Sequence, residues 1–353
     1  MLYIHQTSCI SPQGTDPGVQ PAVSGGPPEP GGGGGAGMLS GLAAPREPES
    51  AVLKAVEPSY AGIPPGILRR MSKSVKLGVG AALPLLQGPM FPEGILMGTG
   101  NAGMEDSVQF LKQIIDYNEG MLAPGHFVQS TPNSIAAQIG LLSRNKGYNI
   151  TYVHRGLAFE NALIDASMLV KEHPGGSWLV GGVDELSGYN YQIELADGWY
   201  KKEWTSGMDL YDSDTPGSIA GEGAAMFLVN DSPANALARV KGVMTLHSLE
   251  EHTVMARLHR FLKRQLHGGA SPDLLVSGEN GDNRVSKWYH ACEAMMDAAT
   301  PVQRFKHLCG EYPTASAFAL WLACNLPGGY QHILIYNNHK FSQHSFILIE
   351  RFL

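Results

Sequence analysis

The stretch Tyr148–Lys171, which reads YNITYVHRGLAFENALIDASMLVK, contains signals for a strand, a tight turn and a helix in that order. Asn149–Val153 is a β-branched and aromatic run, which predicts a short buried strand. Gly156 supplies a small residue at a turn. Apolar residues then recur at near-helical spacing over Leu157–Leu169, so a helix is predicted there.

A strand that turns sharply into a helix can present one side chain, together with the free N–H groups of the first helical turn, to a substrate. The positions presented here are Val153, His154 and Arg155, and none of them carries a serine hydroxyl or a cysteine thiol. The local frame is of a catalytic type, but the nucleophile is missing. That absence is the main indication of function in the chain.

Composition limits the class of protein. With 353 residues and 43% hydrophobic content, the chain can bury a substantial core in one large or two ordinary domains. No apolar run reaches the roughly 18 residues of a membrane span, and no signal peptide is recognised at the start. The net charge of -7 argues against nucleic acid as a partner, and four cysteines without a CxxC pair predict a reduced, cytoplasmic protein.

Four segments are predicted from the order of the signals along the chain. Residues 1–10 form a first strand, and residues 11–59 form a Gly/Pro-rich flexible insertion that includes the run Gly31–Gly35. Residues 60–235 and 236–353 form two halves, the second one shortened, and Leu186–Ser213 within the first half is interpreted as a surface excursion. Two rounds of alternating strands and helices predict a layered α/β fold with mainly parallel pairing and later antiparallel strands.

Two patterns imitate ligand sites. Gly98–Gly103 matches GxGxxG between a predicted strand and a predicted helix, but no clear second strand ending in an acidic residue follows, so we interpret it as a tight turn and expect no nucleotide cofactor. His252, His259 and His267 lie too far apart along a predicted helix to share one ion, so we expect no metal site.

Five segments, taken in order, resemble the β-ketoacyl synthases of the thiolase superfamily. They are Arg69-Arg70-Met71, Gly98–Gly103, Thr131-Pro-Asn-Ser through Gly147-Tyr-Asn-Ile-Thr, Gly221-Glu-Gly-Ala-Ala, and Lys306–Ala315. The family has a glycine-rich turn at the second of these segments, which accounts for the dinucleotide-like match. The resemblance covers nearly all of residues 60–353. It implies an α/β, thiolase-like fold of two similar halves in αβαβα layers.

The resemblance implies a family chemistry that this chain does not retain. The family uses a cysteine that takes the acyl chain as a thioester, and two histidines that assist decarboxylation of malonyl carrier protein and stabilise the enolate. Val153 aligns with the cysteine, or His154 does if the alignment shifts by one residue. Ser277 aligns with the first histidine and Glu311 with the second, while Lys306 stands where the family has its lysine.

Other family features are reduced in the same way. The Gly-Phe-Gly-Gly loop corresponds to Lys340-Phe341-Ser342-Gln343, which keeps Phe341 and loses the glycines. The turn itself keeps Gly156 beside His154 and Arg155. Valine cannot form a thioester, and an ionised Glu311 would repel a developing enolate, so the chain is predicted to be inactive on its own and to need no cofactor.

The predicted role follows from relatives of the family that lack the cysteine. The chain is similar to the chain-length factor, or KSβ, of type II polyketide and aryl-polyene-like systems. That resemblance implies a heterodimer with a Cys-containing ketosynthase, and acyl carrier protein as a second partner. The small-residue helix around Ala136–Gly140 and the strand before Val153 match the family's dimer interface.

Two other functions stay open at this point. The chain could perform a different thioester chemistry, as a hydrolase or dehydratase that uses His154, Arg155 and Glu311. It could also be a homodimeric acyl-binding scaffold without a catalytic partner. Acyl-thioester turnover by the isolated chain would favour the first, and stable homodimers that ignore a co-expressed synthase would favour the second.

Overall fold

The computed structural model describes residues 1–16, 52–203, 208–266 and 270–352. The strands are β1 (Leu2–Ser11), β2 (Gly14–Asp16), β3 (Val52–Leu53), β4 (Gly94–Thr99), β5 (Asn149–Val153), β6 (Trp178–Asp184), β7 (Ala220–Gly221), β8 (Gly223–Asn230), β9 (Ala238–His247), β10 (Leu274–Ser277), β11 (Val302–Arg304), β12 (His332–His339) and β13 (Gln343–Arg351). The helices are α1 (Pro65–Leu68), α2 (Lys73–Leu86), α3 (Met104–Asp116), α4 (Pro124–Gln129), α5 (Ser134–Ser143), α6 (Ala158–Glu172), α7 (Gly188–Ala196), α8 (Glu251–Gln265), α9 (Ser286–Ala294), α10 (Lys306–Cys309) and α11 (Ala315–Asn325).

One long sheet runs through both halves in the order β11-β10-β12-β13-β9-β1-β8-β6-β4-β5, with β2 paired to β1. Parallel pairing is confined to the two ends, where β4 lies between β5 and β6 and β10 lies between β11 and β12. The middle is antiparallel through β13, β9, β1, β8 and β6. The expectation of mainly parallel pairing is therefore wrong, because β1 joins the two halves by pairing antiparallel with both β8 and β9.

The two halves enclose a central layer of helices. Every residue of Ala315–Cys324 in α11 is buried, as expected of a helix that is apolar on all sides. α6 shares the same core, in which its Phe159 and Leu163 are grouped with Val180 of β6 and Ile335 of β12. The outer faces are covered by α2 and α5 on one half and by α8 and α9 on the other. The predicted thiolase-like αβαβα arrangement of two halves is confirmed.

The strand predicted before the turn exists, but it is not buried. β5 is the edge strand of the long sheet, and its ends Asn149 and Val153 are exposed. A β-branched run indicates a strand without indicating its place in the sheet. This edge position leaves one side of β5 without a neighbouring strand among the described residues.

The excursion predicted over Leu186–Ser213 is more ordered than its weak periodicity suggests. It contains α7, whose first turn is capped by the Ser187 hydroxyl, which accepts from the Asn190 N–H at 3.1 Å. Lys201 is buried, and its ammonium donates to Thr215 and to the Gly281 carbonyl at 2.8–3.1 Å. These bonds fix the excursion against the second half, where it forms one wall of a pocket.

Both described ends of the predicted insertion are paired. β2 pairs with β1, and β3 pairs with β7. The middle of the insertion, including Gly31–Gly35, lies outside the described residues, as does His267. His252 and His259 lie on the exposed face of α8. None of the described helices combines the length and the apolar character needed to cross a membrane.

Candidate functional site

A pocket of about 230 Å³ lies where the two halves meet, beside the turn into α6. The first half contributes Arg155 and the turn after β4, and α7 and the chain after it add Glu194 and Tyr200. The second half contributes Asn280, Glu311, His339 and Lys340. The pocket is therefore built from segments that are distant in sequence.

A buried ion pair forms the back of this pocket. The Lys306 ammonium lies 2.9 Å from Glu311 Oε1, and the Asn280 amide donates to Glu311 Oε2 at 2.9 Å. His339 Nδ1 lies 3.9 Å from the same carboxylate. Burial alone would raise the pKa of Glu311, but the Lys306 charge and the polar contacts of His339 and Asn280 outweigh it and lower the pKa to about 2. Glu311 is therefore a fixed negative charge at neutral pH.

The backbone of Glu311 is held by the glycine turn between β7 and β8. The Gly221 N–H donates to the Glu311 carbonyl at 3.1 Å, and the Glu311 N–H donates to the Ile219 carbonyl at 2.8 Å. A Cβ on Gly221 would lie 2.0 Å from the Cys309 carbonyl oxygen. Only glycine allows this approach, which accounts for the residue type at position 221.

The turn into α6 is strained at Arg155, whose φ is +48°. Gln343 braces this turn, because the Gly156 N–H donates to Gln343 Oε1 at 3.0 Å and Gln343 Nε2 donates to the His154 carbonyl at 3.4 Å. A Cβ on Gly156 would lie 2.2 Å from His339 Cβ. The turn, Gln343 and His339 therefore form one packed unit at the side of the pocket.

The glycine-rich turn after β4 is filled from inside the protein. Asp184 Oδ1 accepts from the Thr99 hydroxyl at 3.0 Å and from the Gly100 and Asn101 N–H groups at 2.8 Å each. Asp184 Oδ2 accepts from the N–H and the hydroxyl of Thr314 at 3.0 and 2.8 Å. The backbone N–H groups that would bind a phosphate therefore already donate to a buried carboxylate. The segment that matches GxGxxG is a structural turn.

Comparison with known proteins gives structural matches only, since no family profile and no curated protein matches the sequence. The ishigamide ketosynthase/chain length factor superposes with a TM-score of 0.74 over 100% of this chain and 99% of its own, at 19% identity. A second match comes from the structure of a type II polyketide synthase acyl-carrier protein in complex with its ketosynthase bound to the hexaketide. The matched chain of that complex gives a TM-score of 0.70 at 13% identity, over 99% of both chains. The ketosynthase ApeO in complex with its chain length factor ApeC from Xenorhabdus doucetiae matches with a TM-score of 0.70 at 13% identity, over 99% and 98%.

This chain has the thiolase-like fold of ketosynthases and chain length factors. The match spans 99–100% of this chain and 98–99% of the matched chains. At these identities the likeness establishes the architecture, and the site has to be judged from its own residues.

Within the thiolase-like fold, Arg155 and Glu311 line the pocket, Lys306 lies behind Glu311 and Gly156 packs at the side. The other predicted residues lie elsewhere. Val153 is 54% exposed on the β5 edge. The His154 ring stacks on His247 at 5.6 Å, outside the pocket lining. Two further predicted positions also lie off the pocket lining: Ser277 is buried at the end of β10, and Phe341 packs against Trp199 and Trp288.

Asn280, His339 and Gln343 are among the residues of the site that the sequence did not single out. His339 ends a run of polar residues, Asn337-Asn338-His339, at the end of an otherwise apolar strand, and such a run is a usable signal for a site at a strand end. Gln343 stands where the resemblance expects a glycine. A large polar residue at that position could have indicated an internal contact.

The pocket lining contains acids, bases and amides but no serine, threonine or cysteine. Cys309 is the nearest cysteine in sequence to Glu311, and burial raises the pKa of its thiol to about 12, so it is protonated at neutral pH. Among the described residues, the pocket therefore lacks the Ser, Thr or Cys side chain that commonly takes an acyl group.

A second buried acid lies behind the ion pair. Glu160 of α6 is fully buried, and neither of its carboxylate oxygens has a hydrogen-bond partner of good geometry. Burial raises the pKa of Glu160, an effect that nearby Ser345, Ser316 and Lys306 offset only in part. Glu160 is thus an acid whose neutral form is favoured by its position in the central helix layer.

Glu160→Gln is expected to stabilise the protein more as the pH rises. Because the folded-state pKa lies above the unfolded-state value, the wild type loses about 1.4 kcal/mol of stability for each pH unit between the two, whereas the glutamine variant does not. Thermal unfolding of both proteins at about pH 5 and about pH 8 measures this. A difference in Tm that is the same at the two pH values would contradict the account.

Proposed function

We infer that this chain is a non-catalytic homologue of the β-ketoacyl synthases and serves as a chain-length-factor-like subunit beside a Cys-bearing ketosynthase. The reaction it supports is chain elongation of the type II polyketide or fatty-acid kind. The observation that carries this inference is the turn at Val153–Gly156, which has the strand-to-helix frame of the family without a nucleophile.

The electrostatics of the pocket support the same conclusion. Condensation develops negative charge on an enolate oxygen, which the family stabilises with neutral or cationic donors. Here the carboxylate of Glu311 stands in that region, and its pKa of about 2 keeps it ionised. An ionised carboxylate accepts hydrogen bonds and donates none, so Glu311 cannot donate to an enolate oxygen as a histidine would.

The free edge of β5 supports pairing with a second subunit. The Ile95 N–H donates to the Tyr148 carbonyl at 2.8 Å, so that carbonyl points toward β4. Because alternate residues of a strand point their N–H and C=O groups in opposite directions, those of Asn149, Thr151 and Val153 point to the open side. An unpaired strand edge of this kind accepts a strand from another chain.

Exposed apolar side chains on α4 and α5, the two helices that precede β5 in the chain, are also typical of a subunit interface. Leu141, at the end of α5, is 74% exposed, and Phe127 and Val128 of α4 are 61% and 65% exposed. The solved structures with this fold include a ketosynthase with its chain length factor and a ketosynthase with its acyl-carrier protein. We therefore propose a Cys-containing ketosynthase as the partner on this face, with acyl carrier protein delivering substrate to the complex.

Co-expression of the tagged chain with candidate Cys-containing synthases tests the assignment. We expect a one-to-one complex that elongates malonyl carrier protein substrates and whose product length changes when this chain is mutated. A chain that remains a homodimer in the presence of each synthase would instead support the scaffold function. Turnover of acyl thioesters by the isolated chain would contradict the non-catalytic assignment.

The hydrolase or dehydratase alternative has less support than the subunit role. It requires His154 and Glu311 to act on one substrate, but His154 Nδ1 is bonded to the Asn161 amide at 2.9 Å on the outer side of the turn. Among the described residues, the imidazole that does approach Glu311 is that of His339, and the pocket lining offers no hydroxyl or thiol of Ser, Thr or Cys for it to activate.

A further inference from the structure

The charges around the pocket do not cancel. Lys306 is paired with Glu311 at 2.9 Å, and Lys340 is paired with Glu194 at 2.5 Å. Arg155 lines the same pocket, and within the described part of the chain it forms no ion pair. Counted with the buried Lys306 behind the lining, three cations stand against two carboxylates, and Arg155 is the cation without a carboxylate partner among the described residues.

Arg155 lies at the pocket with its backbone in the left-handed region. A non-glycine residue at φ +48° costs free energy unless its surroundings hold it. The Gln343 amide holds it by bonding the residues on either side, the His154 carbonyl and the Gly156 N–H. Backbone strain of this kind is typical of functional sites. The proposed pairing with a synthase does not involve Arg155, so this residue is available for a separate function.

The remaining walls suit a small ligand with an apolar part. Trp199, Tyr200 and Tyr312 present aromatic surface, and Met104 and Ile193 add aliphatic surface. A volume of about 230 Å³ is below the roughly 300–1,000 Å³ of sites for drug-sized ligands. The pocket is too small for an extended polyketide chain, but it has room for a molecule of a few carbon atoms.

We propose that this pocket binds a small carboxylate with a short apolar body, whose carboxylate group pairs with the Arg155 guanidinium. Guanidinium matches a carboxylate with two parallel hydrogen bonds, and the aromatic walls cover the apolar part. Gln343 acts as a positioning residue that keeps Arg155 at the pocket. The site is independent of the proposed pairing with a synthase and can be tested on the isolated chain.

Butyrate and butyramide form a matched pair of probes, because they share the apolar body and differ in charge. Titration calorimetry measures their binding, and the fluorescence of Trp199 in the pocket wall reports it separately, with Trp199→Phe as the control for the origin of the signal. We expect butyrate to bind at least about tenfold more tightly than butyramide, a factor that corresponds to 1.4 kcal/mol.

Substitutions test whether Arg155 is the source of the preference for butyrate over butyramide. Arg155→Gln is expected to remove the preference for butyrate while leaving butyramide binding unchanged, and Arg155→Lys to retain part of it. Gln343→Ala is expected to reduce the preference for butyrate, since it frees the turn without altering the charge. Arg155 is exposed, so its substitution leaves the core intact, and a thermal scan checks this.

The comparison of the two probes on the wild-type protein decides the proposal even if a variant fails to fold. Equal binding of butyrate and butyramide overturns it, and so does the lack of saturable binding by both. A preference for butyrate that survives Arg155→Gln also overturns it. None of these results bears on complex formation with a synthase, so the two proposals fail separately.

Discussion

Lys306→Met is expected to lower the free energy of unfolding by about 3–5 kcal/mol, the usual cost of removing one partner from a buried ion pair. Lys306 is completely buried, and its ammonium lies 2.9 Å from Glu311 Oε1. The methionine would leave the Glu311 carboxylate buried with only Asn280 and His339 beside it. Chemical denaturation of both proteins measures the loss.

The pH dependence of the same variant has a definite sign. The pKa of Glu311 is lowered from 4.5 to about 2 in the folded protein, so its ion pair contributes stability that is fully present above the unfolded-state pKa. That contribution is lost as the pH falls toward the folded-state value. We therefore expect the difference between wild type and Lys306→Met to shrink on acidification.

Two further variants separate the ion pair from simple loss of packing. Lys306→Met combined with Glu311→Gln removes both charges and is expected to recover most of the lost stability, because the glutamine can still bond Asn280. Lys171→Met, at an exposed position in the last turn of α6, is expected to have little effect. A loss at Lys306 no larger than at Lys171 would contradict the account of the site.

Thr151→Pro is expected to weaken the complex with a synthase by about tenfold to a hundredfold, since a lost N–H leaves a buried partner carbonyl unpaired. Residue 151 lies in β5, where its N–H points to the open edge and not to β4. Proline removes that donor while the ladder with β4 keeps its bonds through residues 150 and 152. Sedimentation of the co-expressed pair measures the effect.

Thr151→Ala is the matched control. Both substitutions remove the bond from the Thr151 hydroxyl to Asn133 at 3.0 Å, but alanine keeps the N–H. We expect the alanine variant to pair as the wild type does. If proline and alanine have the same effect on assembly, or neither has one, the β5 edge is not the interface.

The strand–turn–helix unit at Tyr148–Lys171 was predictable because its signals are local. The β-branched run gives β5 and the helical spacing gives α6, and both are present within a few residues of the predicted bounds. The edge position of β5 was not predictable, since it depends on which strands arrive beside it from elsewhere in the chain. The place of β1 was not predictable for the same reason. Its antiparallel pairing with β8 and β9 makes the centre of the sheet antiparallel.

The site was predictable only where the resemblance reached it. Glu311 and Lys306 were identified from their segment, and the structure joins them in one ion pair. His339 and Gln343 were missed because their partners, Glu311 and the turn at Gly156, lie far away in sequence. Contacts of this kind depend on tertiary packing, and residue spacing carries no information about them.

This chain has no nucleophile at the turn into α6 and should therefore not be acylated. Intact-mass measurement tests this most directly, after incubation with an acyl carrier protein that carries an acyl thioester. The complex of this chain with its Cys-bearing synthase is incubated, separated and weighed subunit by subunit. We predict that the acyl mass appears on the synthase and that this chain keeps its unmodified mass. An acyl group found on this chain would contradict the account.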